Sequence, residues 1–263
     1  MKKKDCPRCG CQKLWSVRRG KVRCSSCRYE WTPGRLPLHI SQKEWKEILH
    51  WFLRGLPSSV VAQETGLHRQ RILRALMYAR MAMQRNVPDV FSGSVEVDET
   101  YLGGQWKNKR YGVRLSGSKR GRGTSKTPVF GILCRGGKVW AQIVPDVEAK
   151  TLLPLITNRV ESGSTVYSDT WKSYTGVAAK GYVHRLVKHQ KGEYVSEEGN
   201  HINGLEGFWG YLKRRLAAKG GIRRERLHLY LAEYVWHFNH RNQSIDTQKK
   251  QLLNSLIIQQ IGG

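Results

Sequence analysis

The chain has 263 residues, enough for one substantial core with one or two small modules, and its 46 Lys and Arg against 20 Asp and Glu leave a formal net charge of +26. Such an excess argues against an enzyme of neutral small molecules and for a polyanionic partner held by phosphate neutralisation and counterion release. No apolar run reaches the ~20 residues that span a bilayer, and Met1-Lys2-Lys3-Lys4 leads into Asp5-Cys6-Pro7 rather than an apolar signal core, so the expectation is a cytoplasmic, nucleoid-associated protein with reduced thiols and no membrane partner.

The first element is built on cysteine. Cys6-Pro7-Arg8-Cys9 and Cys24-Ser25-Ser26-Cys27 are CxxC pairs separated by 14 residues. This spacing predicts a zinc ribbon over residues 1–35, in which two knuckles close a structural four-thiolate Zn²⁺ site that replaces a core. Cys11 is a poorer alternative to Cys9, and Cys134, in an apolar run, is expected to be packed inside. Arg18, Arg19, Lys21, Arg23 and Arg28 give the ribbon a basic surface, while Trp15, Tyr29 and Trp31 supply aromatic packing. Pro33-Gly34 and Pro37 mark a linker.

Residues 38–87 read as helical. Ser41 and Glu44 make a capping-box signature ahead of Trp45, Ile48, Leu49 and Phe52. After a break at Gly55-Leu56-Pro57, the run from Ser58 to Leu76 reads as helix, turn at Gly66, helix. That pattern predicts a helix-turn-helix-like DNA-binding module whose second helix carries Arg69, Arg71 and Arg74, with His68 and Gln70, outward.

Residues 92–242 carry the chemistry. In Ser94–Gly104, Val95 and Val97 alternate with Glu96 and Asp98, the period of a strand with one buried face. Lys107–Lys126 is a basic, Gly-rich loop. Thr127–Cys134 and Lys138–Val144 predict a hairpin around Arg135-Gly136-Gly137, antiparallel to the Asp98 strand. A helix over Glu148–Val160 crosses to a second acid-bearing strand, Ser164–Asp169, and Tyr182–Val187 reads as a further short strand. His184, His189 and His201 are candidates for assisting catalysis or touching phosphate. From Gly204, the stripe Leu205, Phe208, Trp209, Leu212 and Leu216 predicts a helix with Glu206 beside its buried face. Glu225 to about Arg241 forms a last core helix, and residues 243–263 form a tail in which Leu252, Leu253, Leu256 and Ile257 permit a short helix.

Two strands thus deliver one aspartate each, and a helix delivers a third acid. Three converging carboxylates repel unless a cation lies between them, and hard oxygen ligands suit Mg²⁺ or Mn²⁺. The segments Val97–Gly104, with its VDETYLGG run, and His201–Trp209, with its HxNGxEGFW pattern followed by Leu212-Lys213, resemble the DDE transposases of bacterial insertion sequences. The resemblance runs from the cysteine pairs to about Arg241. It implies a multi-domain protein whose α/β catalytic domain is RNase H-like with a mixed sheet, in which Asp98, Asp169 and a third-motif residue hold two divalent ions. That third residue is Glu206 or Asn203; Glu206 is preferred because a carboxylate binds such a cation better than a carboxamide, with Asn203 a second contact to metal or DNA. Lys213, two turns beyond Glu206, matches a lysine expected on a terminal phosphate, with Arg214 beside it as a further DNA contact. Glu99 points to the opposite face of the strand from Asp98 and is excluded as a ligand. The implied activity is cleavage of double-stranded DNA at element ends and joining to target DNA, by a homodimer or larger assembly. A non-catalytic regulator derived from a transposase and a metal-dependent endonuclease are the alternatives.

Overall fold

The computed structural model describes residues 6, 9, 11–32, 36–85, 90–103, 126–169, 174, 176–187 and 203–259. The expected basic loop is described only at Lys126, and the expected roles of His189, His201 and the Pro33-Gly34 linker lie outside these residues. The chain divides into two compact units, residues 1–86 with 240–263 and residues 87–239.

The first unit opens with three short antiparallel strands, β1 (Leu14–Ser16), β2 (Val22–Cys24) and β3 (Glu30–Trp31). Their small core is Cys6, Cys24 and Trp31. The helical part begins with α1 (Gln42–Leu53), where Ser41 accepts from the Glu44 amide and the Glu44 carboxylate accepts from the Ser41 amide, completing the capping box. α2 (Ser58–Thr65) ends on Gly66, which takes the left-handed conformation a tight turn requires, and α3 (Arg69–Arg85) follows. A C-terminal helix, α7 (Ile245–Gln259), packs against α1 and α3, burying Leu252, Leu253 and Leu256. The tail is therefore part of the core of this unit. Its partners lie far upstream in the chain, which its own short apolar pattern does not reveal.

The second unit is built on a five-stranded mixed sheet ordered β6-β5-β4-β7-β8. β4 (Ser94–Leu102) is central; β5 (Thr127–Cys134) and β6 (Val139–Ile143) are antiparallel to it and to each other in turn, joined at Gly136 with positive φ. β7 (Thr165–Ser168) and β8 (Val183–Leu186) run parallel to β4. One face is covered by α4 (Ala149–Arg159), whose Leu152 and Ile156 pack with Val95, Val97, Ile132 and Val166. The other is covered by α5 (Asn203–Ala217) and α6 (Leu227–Asn239), through Leu205, Phe208, Trp209, Leu212, Leu231 and Val235 against Val129, Leu133 and Val139. Cys134 is only half-buried, with its thiol directed at the Ser92 carbonyl. Among the described residues no helix is long and apolar enough to cross a membrane.

Because α7 completes the packing of α1 and α3, a chain ending at Arg241 is expected to lose amide-exchange protection in α1 and α3 while β4 and β5 keep theirs. Unchanged protection in α1 and α3 would show that α7 is dispensable to that core.

Candidate active site

Alternation along β4 sorts its acids onto two faces. Val95, Val97 and Tyr101 pack on the α4 side, with Glu99 among them, accepting a hydrogen bond from the buried Tyr174 hydroxyl at 2.6 Å. Glu96, Asp98 and Leu102 take the α5 side. Glu99 is thus turned away from Asp98, as the period-two pattern predicts. β7 pairs with β4 in parallel, Val95 with Val166 and Glu96 with Tyr167. Carrying that register two residues further sets Asp169, just past the end of β7, abreast of Asp98.

Asp98 is held from both neighbouring elements. Its Oδ2 accepts the indole N–H of Trp209 at 3.0 Å, and across the ladder it pairs with Gly131. A Cβ at Gly131 would stand 2.6 Å from Trp209 Cζ2, so the strand must carry glycine there for the indole to lie across it and reach the carboxylate. Burial pushes the Asp98 carboxyl up to about 7 from an ordinary 3.8; the charge of Glu99 adds to this, as does that of Asp169, against the stabilising Glu99 amide and Trp209 hydrogen bonds.

α5 brings the third motif alongside. Asn203 and Glu206 stand exposed in its first turn, and Glu206, Trp209 and Lys213 share one helix face at i, i+3 and i+7. Lys213 feels Asp98: desolvation and the charge of Lys126 pull its ammonium below its usual range, and Asp98 opposes them. Asp98 is therefore within electrostatic reach of both Asp169 and Lys213, and Glu206 shares the helix face of Lys213. The three acids are not drawn into one tight group: among the described residues, the only cluster of three or more such ligand atoms within 4.8 Å of one another is formed by cysteines.

Three residues around the site, Glu96, Gly131 and Tyr174, escape a reading of motifs, and Trp209, inside the third motif, reads there only as core. Glu96, 1 % exposed, accepts the Leu205 amide of α5 at 2.8 Å and Arg135 Nε at 3.3 Å. Gly131 and Trp209 are described above, and a lone glycine inside a strand pattern is the available signal of close approach. Tyr174 carries no motif. His184 places Nε2 2.8 Å from Ser168 Oγ; the Ser168 hydroxyl donates to the Asp169 carbonyl, so the imidazole N–H is the donor, and burial lowers the pKa of the ring.

In the first unit, Cys6, Cys9, Cys24 and Cys27 gather their sulfurs within 4.8 Å, with Cys6 to Cys27 and Cys9 to Cys24 both at 3.6 Å. A tetrahedron with metal–sulfur bonds of ~2.3 Å has edges of about 3.8 Å, whereas a disulfide needs ~2.05 Å, so the donor set fits Zn²⁺. The Cys11 sulfur stands instead near Ser25 Oγ and the Lys13 carbonyl. On α3, Arg69 and Arg74 are exposed, as is Arg214 on α5. Arg71 differs from the outward placement expected of it: its Nη2 donates to the carbonyls of Leu38 and His39 at 3.3 and 2.9 Å, pinning that turn. Arg23 is likewise paired with Glu30 across β2 and β3.

Residues 90–239 match the ISXO2-like transposase domain. A protein of Haemophilus influenzae described as an uncharacterized transposase-like protein is 37% identical over 124 residues, covering 46% of this chain and 98% of the relative. Among solved structures, a simian T-cell lymphotropic virus intasome in complex with PP2A regulatory subunit B56 gamma aligns with TM-score 0.34 at 14% identity over 74% of this chain and 68% of that one. A pre-cleavage Mos1 transpososome aligns with TM-score 0.29 at 11% identity over 87% and 82%. Overlays this loose carry no functional inference.

The raised Asp98 pKa fixes a sign. The folded state binds the Asp98 proton more tightly than the unfolded chain, so this group costs stability as pH rises from about 4 through about 7. Without added divalent cation, Asp98→Asn is expected to melt about 3–6 °C above wild type at pH 8 and to converge with it near pH 4; equal melting at pH 8 would contradict the assignment. For the cysteines, Cys24→Ser is expected to lose bound zinc by metal analysis, and Cys11→Ser to retain it.

Proposed function

The chain belongs to the family of ISXO2-like transposase domains, and on that premise we propose that it is a DDE-type DNA transposase, which cleaves the ends of its element and joins them to target DNA. The observation that carries this reading is the hydrogen bond from Trp209 to Asp98, which ties the helix bearing Glu206 and Lys213 to the strand bearing the first acid. The sheet order supports an RNase H-like catalytic domain: three antiparallel strands, then two parallel ones, with Asp98 on β4 and Asp169 just past the end of its parallel neighbour β7.

The residues fit divalent cations on their chemistry. All are oxygen donors, and the Asp98 carboxyl is raised by burial and by neighbouring negative charge, the environment that a cation relieves. Asp98, Asp169 and Glu206, or Asn203 in its place, would hold two Mg²⁺ or Mn²⁺ ions. Such a pair, when bound, activates the attacking oxygen and stabilises the leaving oxygen of an in-line displacement. Trp209 fixes one Asp98 oxygen and so sets the direction of the other. Lys213 offers its ammonium to a DNA phosphate beside the reacting bond. The first nucleophile is water, releasing a 3′-hydroxyl; the second is that hydroxyl, attacking target DNA, with no covalent link to the protein.

End recognition falls to the cysteine ribbon and the α2–α3 pair, read here as a zinc ribbon and a helix-turn-helix-like module. Arg69 and Arg74 are the α3 contacts, and Arg214 binds DNA beside Lys213. Arg71 contributes by holding the Leu38–His39 turn. The net charge of +26 supports a strongly salt-dependent grip on phosphate. Joining two ends requires both in one complex, for which a homodimer or larger assembly is proposed.

The test is strand transfer of a labelled duplex carrying the repeats that flank the gene, with Mg²⁺. Wild type is expected to produce joined products, and Glu206→Gln to lose them by about two orders of magnitude or more while still binding the duplex. Normal joining by Glu206→Gln would transfer the third-ligand role to Asn203. Cleavage without joining by wild type would favour the endonuclease, and binding alone the regulator.

A further inference from the structure

We infer that Glu96 is a positioning residue: a buried carboxylate that caps α5 from the neighbouring strand and sets where Glu206 stands relative to Asp98. The inference rests on the reading of Asp98, Asp169 and Glu206 as holders of divalent cations.

The Leu205 amide is one of the first four of α5, which have no carbonyl partner within the helix. Glu96 supplies that partner across the sheet, its Oε2 2.8 Å from the Leu205 nitrogen. A negative group is favoured at that end of a helix because the exposed amides carry partial positive charge. The carboxylate also packs on the backbone of the helix start: a Cβ on Gly204 would stand 3.0 Å from Glu96 Oε2 and 3.4 Å from Oε1. Gly204 thus lets the strand's acid come up against the first turn.

Glu96 is itself fixed. Arg135, just past the end of β5, donates Nε to its Oε1 at 3.3 Å, and the same guanidinium lies 3.5 Å over the Tyr167 ring centroid. Tyr167 pairs with Glu96 in the ladder and lies two residues before Asp169. The strand of the first acid, the strand of the second and the helix of the third are therefore joined through one carboxylate.

The spacing gives this contact its consequence. α5 is anchored to β4 twice, by Leu205 N–H on Glu96 and by Trp209 Nε1 on Asp98. Two residues of strand advance about 6.7 Å, and four residues of helix advance about 6 Å, so the anchors keep pace along both elements. Glu206 follows Leu205 directly and lies between the two anchors. Releasing either lets the helix pivot about the other, moving Glu206 while leaving the apolar face of Leu205, Phe208 and Leu212 buried.

The test titrates Mn²⁺ alone into zinc-loaded, full-length protein, with free ion read by electron paramagnetic resonance, for wild type, Asp98→Asn, Glu96→Gln and Arg135→Met. Wild type is expected to bind in a manner lost in Asp98→Asn. Glu96→Gln is expected to weaken that binding about ten-fold, the usual scale for a residue that orients a metal ligand, with faster amide exchange at Leu205 and little change in melting temperature. Arg135→Met separates positioning from plain charge. Losing a cation beside the site would tighten Mn²⁺ binding if charge alone mattered, whereas loosening Glu96 weakens it. Wild-type affinity in Glu96→Gln, or tighter binding in Arg135→Met, overturns the inference while leaving the metal site intact. If Glu96→Gln does not fold, the sign measured for Arg135→Met decides. Absence of Asp98-dependent binding in wild type instead overturns the metal-site reading on which this one rests.

Discussion

A partly desolvated carboxylate on the central strand of a sheet, Asp98, is the constraint around which the second unit is arranged. Desolvation and the charge of Glu99 disfavour ionised Asp98 where it lies and push its carboxyl up to about 7, and nothing in the apolar packing of β4 requires an acid there. Each neighbour can be understood by what it does about that charge. Trp209 donates to it, Gly131 makes room for Trp209, and Tyr174 holds the adjacent Glu99 on the far face. Natural sites accept such local cost where function demands a group that stability does not.

The parts of this arrangement legible in sequence are those written in short-range periodicity. Val95 and Val97 alternating with Glu96 and Asp98 define both the strand and the two faces, so the opposite placement of Glu99 follows. The Arg135-Gly136-Gly137 turn, the Ser41–Glu44 cap and the apolar stripe of α5 are equally local, and all appear where the pattern sets them. Glu96 and Trp209 are different. Residue type and spacing identify Trp209 as core and leave Glu96 as a polar position of a half-buried strand. Their actual partners lie 109 and 111 residues away, and tertiary pairing of that kind leaves no mark in a window of ten or twenty residues.

The same distinction explains the arginines. Arg69, Arg71 and Arg74 are equivalent in composition and all belong to a basic helix start, so any of them qualifies to face a phosphate. Only the fold tells them apart, because the turn at Leu38–His39 presents two carbonyls to Arg71 and none to the others among the contacts seen. A guanidinium with five donors can brace a turn and still present part of its fork outward, but its orientation is then set by the protein itself. The ribbon shows the converse case. Its four thiols have a spacing specific enough to pick themselves out, since a module this small has little else from which to build a core.

The path of the chain through its two units has a consequence for biogenesis. Residues 1–86 are made first, yet α7, which packs against α1 and α3, is made only after the whole of residues 87–239. The unit that carries the four-cysteine cluster therefore completes its packing after the unit that carries the sheet has been synthesised. A nascent chain that has reached residue 239 would carry the whole sheet but not the finished helical core of the first unit. Synthesis order alone would then leave α1 and α3 with an exposed apolar face until residues 245–259 emerge, an interval in which that face is open to solvent or to a chaperone.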